Sequence, residues 1–293
     1  MKLNAIRPSS ILLAAAVALV AAAADPAYAA ATAQWLTLPP TPTLPNPSRA
    51  GYASVDGIRI WYAVFGHGPP VILLHGGLAN SDYWGDQVPV LAHHYRVIVM
   101  DSRGQGRSTL GLGPLSYELM ADDVLGLMNF LKIRKAALVG WSDGAIVGLD
   151  IVIQHPQRVS KLFAFAANSN PAGNKDVTKS QVFMAYLARA RREYERLSPT
   201  PMQFARLLAQ IERMWATQPH LSAAELRSIR VPTWIVDGDH DEAVKRSNTL
   251  FMANEIPGSG LLIMPDVSHF AFLQDARQFN CDLLHFLVHV RGH

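Results

Sequence analysis

One segment of the chain joins an apolar run to a helix-like run: Ala136-Ala137-Leu138-Val139-Gly140-Trp141-Ser142-Asp143-Gly144-Ala145-Ile146-Val147. Its centre, from Gly140 to Gly144, has the pattern G-x-S-x-G, which is typical of a serine lifted on a tight turn between a strand and a helix. The backbone of such a serine is strained, and a side chain at either glycine would collide with the strand or the helix. The turn also places Ser142 at a helix N-terminus, where free N–H groups and the positive dipole end stabilise an oxyanion. The segment therefore predicts a serine nucleophile.

Short apolar runs and helical patterns alternate through most of the chain. The apolar runs are continuous, as in parallel strands covered on both faces, and they lie at 71–74, 97–100, 159–167, 232–236 and 261–264. The helical patterns lie at 83–92, 116–131 and 145–154. A β-hairpin is predicted before them, because Asp56-Gly57 is a two-residue turn signal between the strand patterns 52–55 and 58–64. This order predicts an α/β fold with a doubly wound, mostly parallel sheet, whose ligands bind at the carboxyl ends of the strands.

One long interval interrupts this alternation. From 171 to 230 there is no strand pattern, only amphipathic runs at 182–197 and 201–215. We therefore predict a helical lid over 171–230, inserted between the core segments 51–170 and 231–293. Helices that pack on the core are the alternative for this interval.

The first 50 residues have a different composition from the rest. Two basic residues and an apolar run precede an A-x-A cleavage pattern; they are Lys2, Arg7, the run 11–24 and Ala27-Tyr28-Ala29. The pattern predicts a cleavable signal peptide over 1–29 and a periplasmic or secreted protein without a stable membrane anchor. An uncleaved anchor is the alternative, although the apolar run is short for a membrane span. Residues 30–50 contain five prolines, which exclude a helix or a central strand and predict an exposed, extended linker.

Charge and cysteine content exclude several classes of protein. After removal of 1–29, 24 basic and 22 acidic residues remain, so nucleic acid is not an expected partner. Cys281 is the single cysteine, which excludes an internal disulfide and a cysteine-based zinc site. It lies in an apolar helical pattern, so we expect it to be buried in packing rather than reactive. Gly104-x-Gly106 lacks the third glycine of a dinucleotide fingerprint, and we expect no cofactor.

A nucleophilic serine needs a base, and the base needs an acid that orients it. Two later strand patterns end in such residues: Asp237-Gly238-Asp239-His240-Asp241-Glu242 and Pro265-Asp266-Val267-Ser268-His269. Asp239 and Asp241 are both candidates for the acid. The cluster Asp239, His240 and Asp241 could also bind a metal ion, but it lacks the further ligands of a closed site.

These marks together resemble the α/β-hydrolase superfamily over nearly all of 51–290. The resemblance rests on five motifs in order: Leu74-His75-Gly76-Gly77, Asp101-Ser102-Arg103-Gly104-Gln105-Gly106-Arg107-Ser108, Gly140-Trp141-Ser142-Asp143-Gly144, Gly238-x-x-Asp241 and His269. It implies that Ser142 is the nucleophile, His269 the general base and then acid, and Asp241 the carboxylate. It also implies an oxyanion hole formed by the N–H groups of Gly77 and Asp143, with His75 shaping the turn rather than acting as a base.

The expected function is that of an exported serine hydrolase that cleaves a carboxylic ester of a small molecule, an amino-bearing ester or a lactone included. The alternatives are a non-catalytic small-molecule receptor on the same scaffold, or a cofactor-free perhydrolase or C–C bond hydrolase. G-W-S-D-G is similar to the subgroup of valacyclovir hydrolase and biphenyl-hydrolase-like proteins. Asp143 is either a structural carboxylate at the first turn of the helix or a substrate-binding counter-charge for a cationic group near the ester.

Overall fold

The computed structural model describes residues 33–290, so the predicted signal peptide over 1–29 lies outside the described residues. The described part contains one sheet of eight strands. The strands are β1 (Arg49–Val55), β2 (Ile58–Phe65), β3 (Pro70–Leu74), β4 (Arg96–Met100), β5 (Ala136–Trp141), β6 (Val159–Phe165), β7 (Thr233–Gly238) and β8 (Gly260–Met264). Their spatial order is β1-β2-β4-β3-β5-β6-β7-β8. β1 and β2 run antiparallel to their neighbours, and all other pairs are parallel, which confirms the predicted mostly parallel sheet.

Helices lie in the connections between the parallel strands and after the last strand, β8. They are α1 (Val88–Leu91), α2 (Tyr117–Phe130), α3 (Asp143–Gln154), α4 (Gln181–Leu197), α5 (Phe204–Thr217), α6 (Ala223–Ser228), α7 (Arg246–Glu255), α8 (Ala271–Gln274) and α9 (Ala276–His289). The helix predicted over 83–92 is wrong in extent: a 3₁₀ turn over Ser81–Trp84 is followed by the short α1. Pro89 explains the break, because proline has no N–H to donate and fits only the first turn of a helix. No helix within 33–290 is long and apolar enough to cross a membrane.

The sheet carries buried side chains on both faces. Along β3, Ile72 and Leu74 belong to the core on one face, whereas Val71 and Leu73 belong to the core on the other. Burial on both faces explains why this strand reads as a continuous apolar run rather than an alternating one. The predicted hairpin is also confirmed, since Asp56 and Gly57 both have positive φ, 42° and 77°, as a two-residue hairpin turn requires.

The interval between β6 and β7 contains helices and no strand among its described residues, apart from one isolated bridge between Asn174 and Val244. Helices α4 and α5 carry side chains that border the cavity beside Ser142. Helix α6 instead packs against α3 and α7, with Leu226 buried in the core. The interval thus combines helices at the cavity with one helix on the flank of the sheet.

Residues 33–47 form a segment that we call the strap, which begins with a 3₁₀ turn over Gln34–Leu36 and continues as extended chain. Its backbone carbonyls accept hydrogen bonds from distant side chains, namely Arg189 at Leu38 and Pro39, and Gln274 at Thr37. The extended backbone leaves these carbonyls free to accept, because prolines prevent a helix from using them. The strap therefore lies against the rest of the domain at α4 and α8.

The prediction that Cys281 is buried in packing is wrong, because its side chain is exposed. The buried face of α9 is formed by other residues: Phe279, Asn280, Leu283, Phe286 and Leu287. In a helix, side chains two positions apart point in nearly opposite directions. Cys281 follows the buried Phe279 by two positions and so faces away from the core.

Candidate active site

Ser142 lies on a strained turn between β5 and α3. Its φ of 53° and ψ of −119° fall outside the regions that side chains favour. A Cβ at Gly140 would lie 2.4 Å from the carbonyl oxygen of Gly144, and one at Gly144 would lie 2.2 Å from that of Leu74. The predicted need for both glycines is therefore confirmed.

His269 and Asp241 form a buried pair at the carboxyl ends of β8 and β7. His269 Nδ1 and Asp241 Oδ2 are 2.7 Å apart, and both side chains are only 2% exposed. Asp241 Oδ1 accepts hydrogen bonds from the N–H groups of Ala243 and Val244, at 2.6 and 2.7 Å, which fixes the carboxylate. Asp239 is exposed and accepts from the Val267 N–H instead. Of the two candidate acids, Asp241 is the one that contacts the imidazole.

The environment of this pair shifts both pKa values. Burial alone would raise the pKa of Asp241, but the charge and hydrogen bond of His269 lower it below its usual range. Burial alone would lower the pKa of His269, but Asp241 and then Glu242 raise it above 6.5. Glu242 Oε2 also accepts the backbone N–H of His269 at 3.0 Å. The sequence alone indicated no role for Glu242, although this residue directly follows Asp241.

Ser142 and His269 border the same cavity, which has a volume of about 430 Å³. Its apolar walls include Phe183, Trp215 and Val244, and its polar walls include Glu212 and Lys175. The Phe183 ring also lies 5.9 Å from the imidazole of His269, centroid to centroid. The volume of this cavity is within the range of small-molecule sites.

The loop after β3 brings Gly77 next to Asp143, the residue that follows Ser142. This loop is braced by His75, whose Nε2 accepts the Ser102 N–H at 2.9 Å and whose Nδ1 donates to the Gly76 carbonyl at 2.7 Å. Both imidazole nitrogens are thus occupied by the backbone, and burial lowers the pKa of His75, as expected for a residue that shapes the turn. Among the described residues, the backbone N–H groups of Gly77 and Asp143 donate no hydrogen bond, so both are free to stabilise an oxyanion.

The side chain of Asp143 is buried between three parts of the chain. Its carboxylate accepts hydrogen bonds from Tyr117 Oη at 2.9 Å and from Trp215 Nε1 at 2.9 and 3.0 Å. A Cβ at Gly77 would lie 2.4 Å from Asp143 Oδ2, so the loop approaches the carboxylate closely only because this residue is glycine. Burial raises the pKa of Asp143 to about 6, although the hydrogen bonds from Tyr117 and Trp215 act in the opposite direction. The sequence held no local signal for either donor.

A second buried carboxyl group, Asp237, lies beside Asp241. Burial raises its pKa well above the usual value, and the negative charge of Asp241 raises it further. Thr249 Oγ1 donates to it at 2.6 Å. The sequence indicated no role for Asp237, which directly follows the predicted strand 232–236. Its raised pKa favours the protonated form next to the charged Asp241.

The sequence cluster Asp239, His240 and Asp241, which lacks the further ligands of a metal site, differs from the group of possible ligand atoms that the structure brings together. Ligand atoms of Asp239, His240 and Asp266 lie within 4.8 Å of one another, and all three residues are exposed. Asp241 is absent from this group because its carboxylate turns towards His269. The imidazole of His240 stacks on the indole of Trp35, with centroids 3.9 Å apart.

The sheet order and the elements around Ser142 are those of an α/β hydrolase. Residues 69–206 match the family described as alpha/beta hydrolase fold. The chain therefore has the α/β-hydrolase fold.

Several of its relatives are named as hydrolases. The chain is 26% identical over 255 residues to mouse serine hydrolase BPHL, covering 82% of this chain and 87% of the relative. A solved structure of the CarC enzyme, a serine hydrolase involved in carbazole degradation, is 25% identical with a TM-score of 0.69 over 82% of this chain and 98% of that one. A structure of Est816, an N-acyl homoserine lactone degrading enzyme, is 27% identical with a TM-score of 0.64 over 80% and 100%. These similarities support a hydrolase acting on a small molecule.

Proposed function

We propose that the protein is a serine hydrolase that cleaves a carboxylic ester through an acyl-enzyme. One observation carries the proposal: His269, held 2.7 Å from the buried Asp241, borders the same cavity as Ser142. Ser142 also lies directly before helix α3, where the dipole favours negative charge. A nucleophile and a base that border one cavity, with an acid behind the base to orient it, are the parts that nucleophilic catalysis needs.

In this mechanism the hydroxyl oxygen of Ser142 attacks the ester carbonyl, and its proton passes to Nε2 of His269. Nδ1–H of His269 donates to Asp241, which stabilises the imidazolium. The N–H groups of Gly77 and Asp143 stabilise the tetrahedral oxyanion. As the intermediate collapses, the bond to the alkoxy group breaks and His269 gives the leaving alcohol its proton. Water, deprotonated by His269, then attacks the acyl carbon. As this second intermediate collapses, the bond to the Ser142 oxygen breaks, His269 returns the proton to that oxygen, and the acid is released.

The cavity restricts the substrate to a small ester. Its volume of about 430 Å³ and its apolar walls suit a compact acyl or alcohol group. A lactone is a cyclic ester that the same steps open, and the similarity to a lactone-degrading enzyme supports including lactones.

For Asp143 we propose a structural role rather than a counter-charge for a substrate amine. Three hydrogen bonds from Tyr117 and Trp215 already reach its two oxygens, so an ammonium would have to compete with Trp215. Comparing kcat/KM for a valine ester and its desamino analogue tests this. Equal preference in wild type and Asp143→Asn supports the structural role. A preference for the amine that is lost in the variant contradicts it.

Ester turnover tests the proposed function. A series of p-nitrophenyl esters with increasing acyl length should be hydrolysed by wild type and not by Ser142→Ala. A folded wild-type protein that binds such ligands without turning them over would instead support the receptor alternative. Hydrolysis that survives in Ser142→Ala would exclude Ser142 as the nucleophile.

We further propose that the protein is exported and loses residues 1–29. The basic residues Lys2 and Arg7, the apolar run 11–24 and the A-x-A pattern before residue 30 support this. Mass spectrometry of the protein from its own host should show an N-terminus at about Ala30. A mature protein that still begins at Met1 would contradict the proposal.

A further inference from the structure

A second cavity, of about 790 Å³, lies between the strap, strand β2 and helix α4. It shares no lining residue with the cavity beside Ser142. One wall is the proline-rich part of the strap, 40–47, and another is formed by Trp61, Ala63 and Phe65 of β2. Alternate residues of a strand face the same side, so these three side chains form one apolar surface.

The third wall of this cavity is positively charged. Arg189, Arg192 and Arg196 of α4 all line it, and their spacing of three and four residues places them on one face of the helix. Arg107 lines it as well, with its guanidinium 4.3 Å from the centre of the Trp61 ring. Four guanidinium groups therefore surround one cavity.

The two acidic residues of the cavity already have partners. Asp82 accepts hydrogen bonds from Arg107 at 2.7 and 2.8 Å, through its two oxygens. Glu193 accepts hydrogen bonds from Thr41 of the strap and from Asn80. Within residues 33–290, neither carboxylate forms an ion pair with the cavity-lining arginines of α4, Arg189, Arg192 and Arg196.

The arginines of α4 differ in what they contact. Arg189 donates to two neutral carbonyl oxygens of the strap. Within the described part of the chain, Arg192 and Arg196 form no hydrogen bond and no ion pair, although the charge of Arg196 reaches Asp82. Arg191 does not line the cavity and pairs with Glu195 at 2.9 Å. Like charges four residues apart on a helix repel each other, and an anion in the cavity would relieve this repulsion.

We propose that this cavity binds a small amphipathic carboxylate. Its carboxylate pairs with Arg192 and Arg196, because the planar guanidinium matches the two oxygens of a carboxylate. Its apolar body lies against Trp61, Ala63 and Phe65. The cavity volume is within the range of small-ligand sites. The proposal does not depend on the proposed esterase activity, since it concerns separate residues.

Isothermal titration calorimetry with octanoate tests this site. The variants are Arg192→Gln/Arg196→Gln, which removes the two unpaired charges, and Arg191→Gln as the matched control on the same helix. We expect saturable binding to wild type and to the control, and binding weakened by about tenfold or more in the double variant. All three positions are exposed, and thermal melts of each protein will show that they remain folded.

Three results would overturn the proposal. No saturable binding of octanoate to wild type would exclude the site. Equal affinity in wild type and the double variant would place octanoate elsewhere, for example beside Ser142. If octyltrimethylammonium binds as tightly as octanoate, the positive charge of the cavity has no part in recognition. If inorganic phosphate binds as tightly as octanoate, the apolar wall has no part in it.

Discussion

Replacing Asp143 with asparagine should change how stability depends on pH. The pKa of this carboxyl rises from the ordinary 3.8 to about 6, chiefly through burial. Between these two values the unfolded chain has released its proton while the folded chain retains it, so the free energy of unfolding falls as pH rises. At 1.36 kcal/mol per pK unit, the loss across this window is about 3 kcal/mol. Asp143→Asn has no titrating group here and is spared this loss.

The quantity to measure is the free energy of unfolding of wild type minus that of Asp143→Asn. Denaturant unfolding from about pH 2.5 to about pH 8 should show this difference decreasing by about 3 kcal/mol. Asp123 and Asp150, whose pKa values burial also raises to about 6, are present in both proteins and cancel. A difference that is constant with pH, or that increases, would refute the reasoning.

Removing one hydrogen-bond donor to the Asp143 carboxylate gives a second, independent test of its pKa. The hydrogen bond from Trp215 Nε1–H lowers the pKa of Asp143, so Trp215→Phe should raise that pKa further. The two proteins to compare are Trp215→Phe and Trp215→Phe/Asp143→Asn. The difference between their free energies of unfolding should decrease by more than about 3 kcal/mol over the same pH range. A decrease equal to that in the wild-type background would mean that the indole does not stabilise the charged form.

The remaining predictions concern turnover and the loop beside Asp143. Ser142→Ala, His269→Ala and Asp241→Asn should each stay folded and lower kcat on a p-nitrophenyl ester by about 10⁴, whereas Asp239→Asn should retain activity; the opposite ranking of the two aspartates would show that the acid is Asp239. Because His269 must be neutral to act as a base and its pKa is raised above 6.5, kcat/KM should increase with pH through an inflection above that value, and a profile flat from about pH 5 to about pH 9 would contradict this. Gly77→Ala would place a Cβ 2.4 Å from Asp143 Oδ2, so thermal melts should show a clear loss of stability, and an unchanged melting temperature would mean that the loop yields.

The sequence was most informative where one local constraint acts alone. Gly140 and Gly144 are required by collisions within a few ångströms of the turn, so the pattern identified them without a structure. The strands were also predictable, since burial on both faces leaves a continuous apolar run. The choice between Asp239 and Asp241 was harder, because two residues of the same type lie in one loop and only their directions differ.

Contacts between distant parts of the chain were not predictable. The donors to Asp143, Tyr117 and Trp215, lie 26 and 72 residues away, and nothing in their local sequence distinguishes them from core aromatics. The prediction that Cys281 is buried was wrong for a related reason, because an apolar neighbourhood in the sequence does not fix which face of a helix is buried. The strap likewise depends on Arg189, about 150 residues further along the chain.

Covalent labelling tests directly whether Ser142 is a nucleophile activated by its surroundings. Wild type is incubated with an alkyl fluorophosphonate, digested, and mapped by mass spectrometry. We expect one adduct, on Ser142, that is absent from Ser142→Ala and forms much more slowly in His269→Ala. A wild-type protein that hydrolyses esters but carries no adduct on Ser142, or carries it on another residue, would show that Ser142 is not the nucleophile.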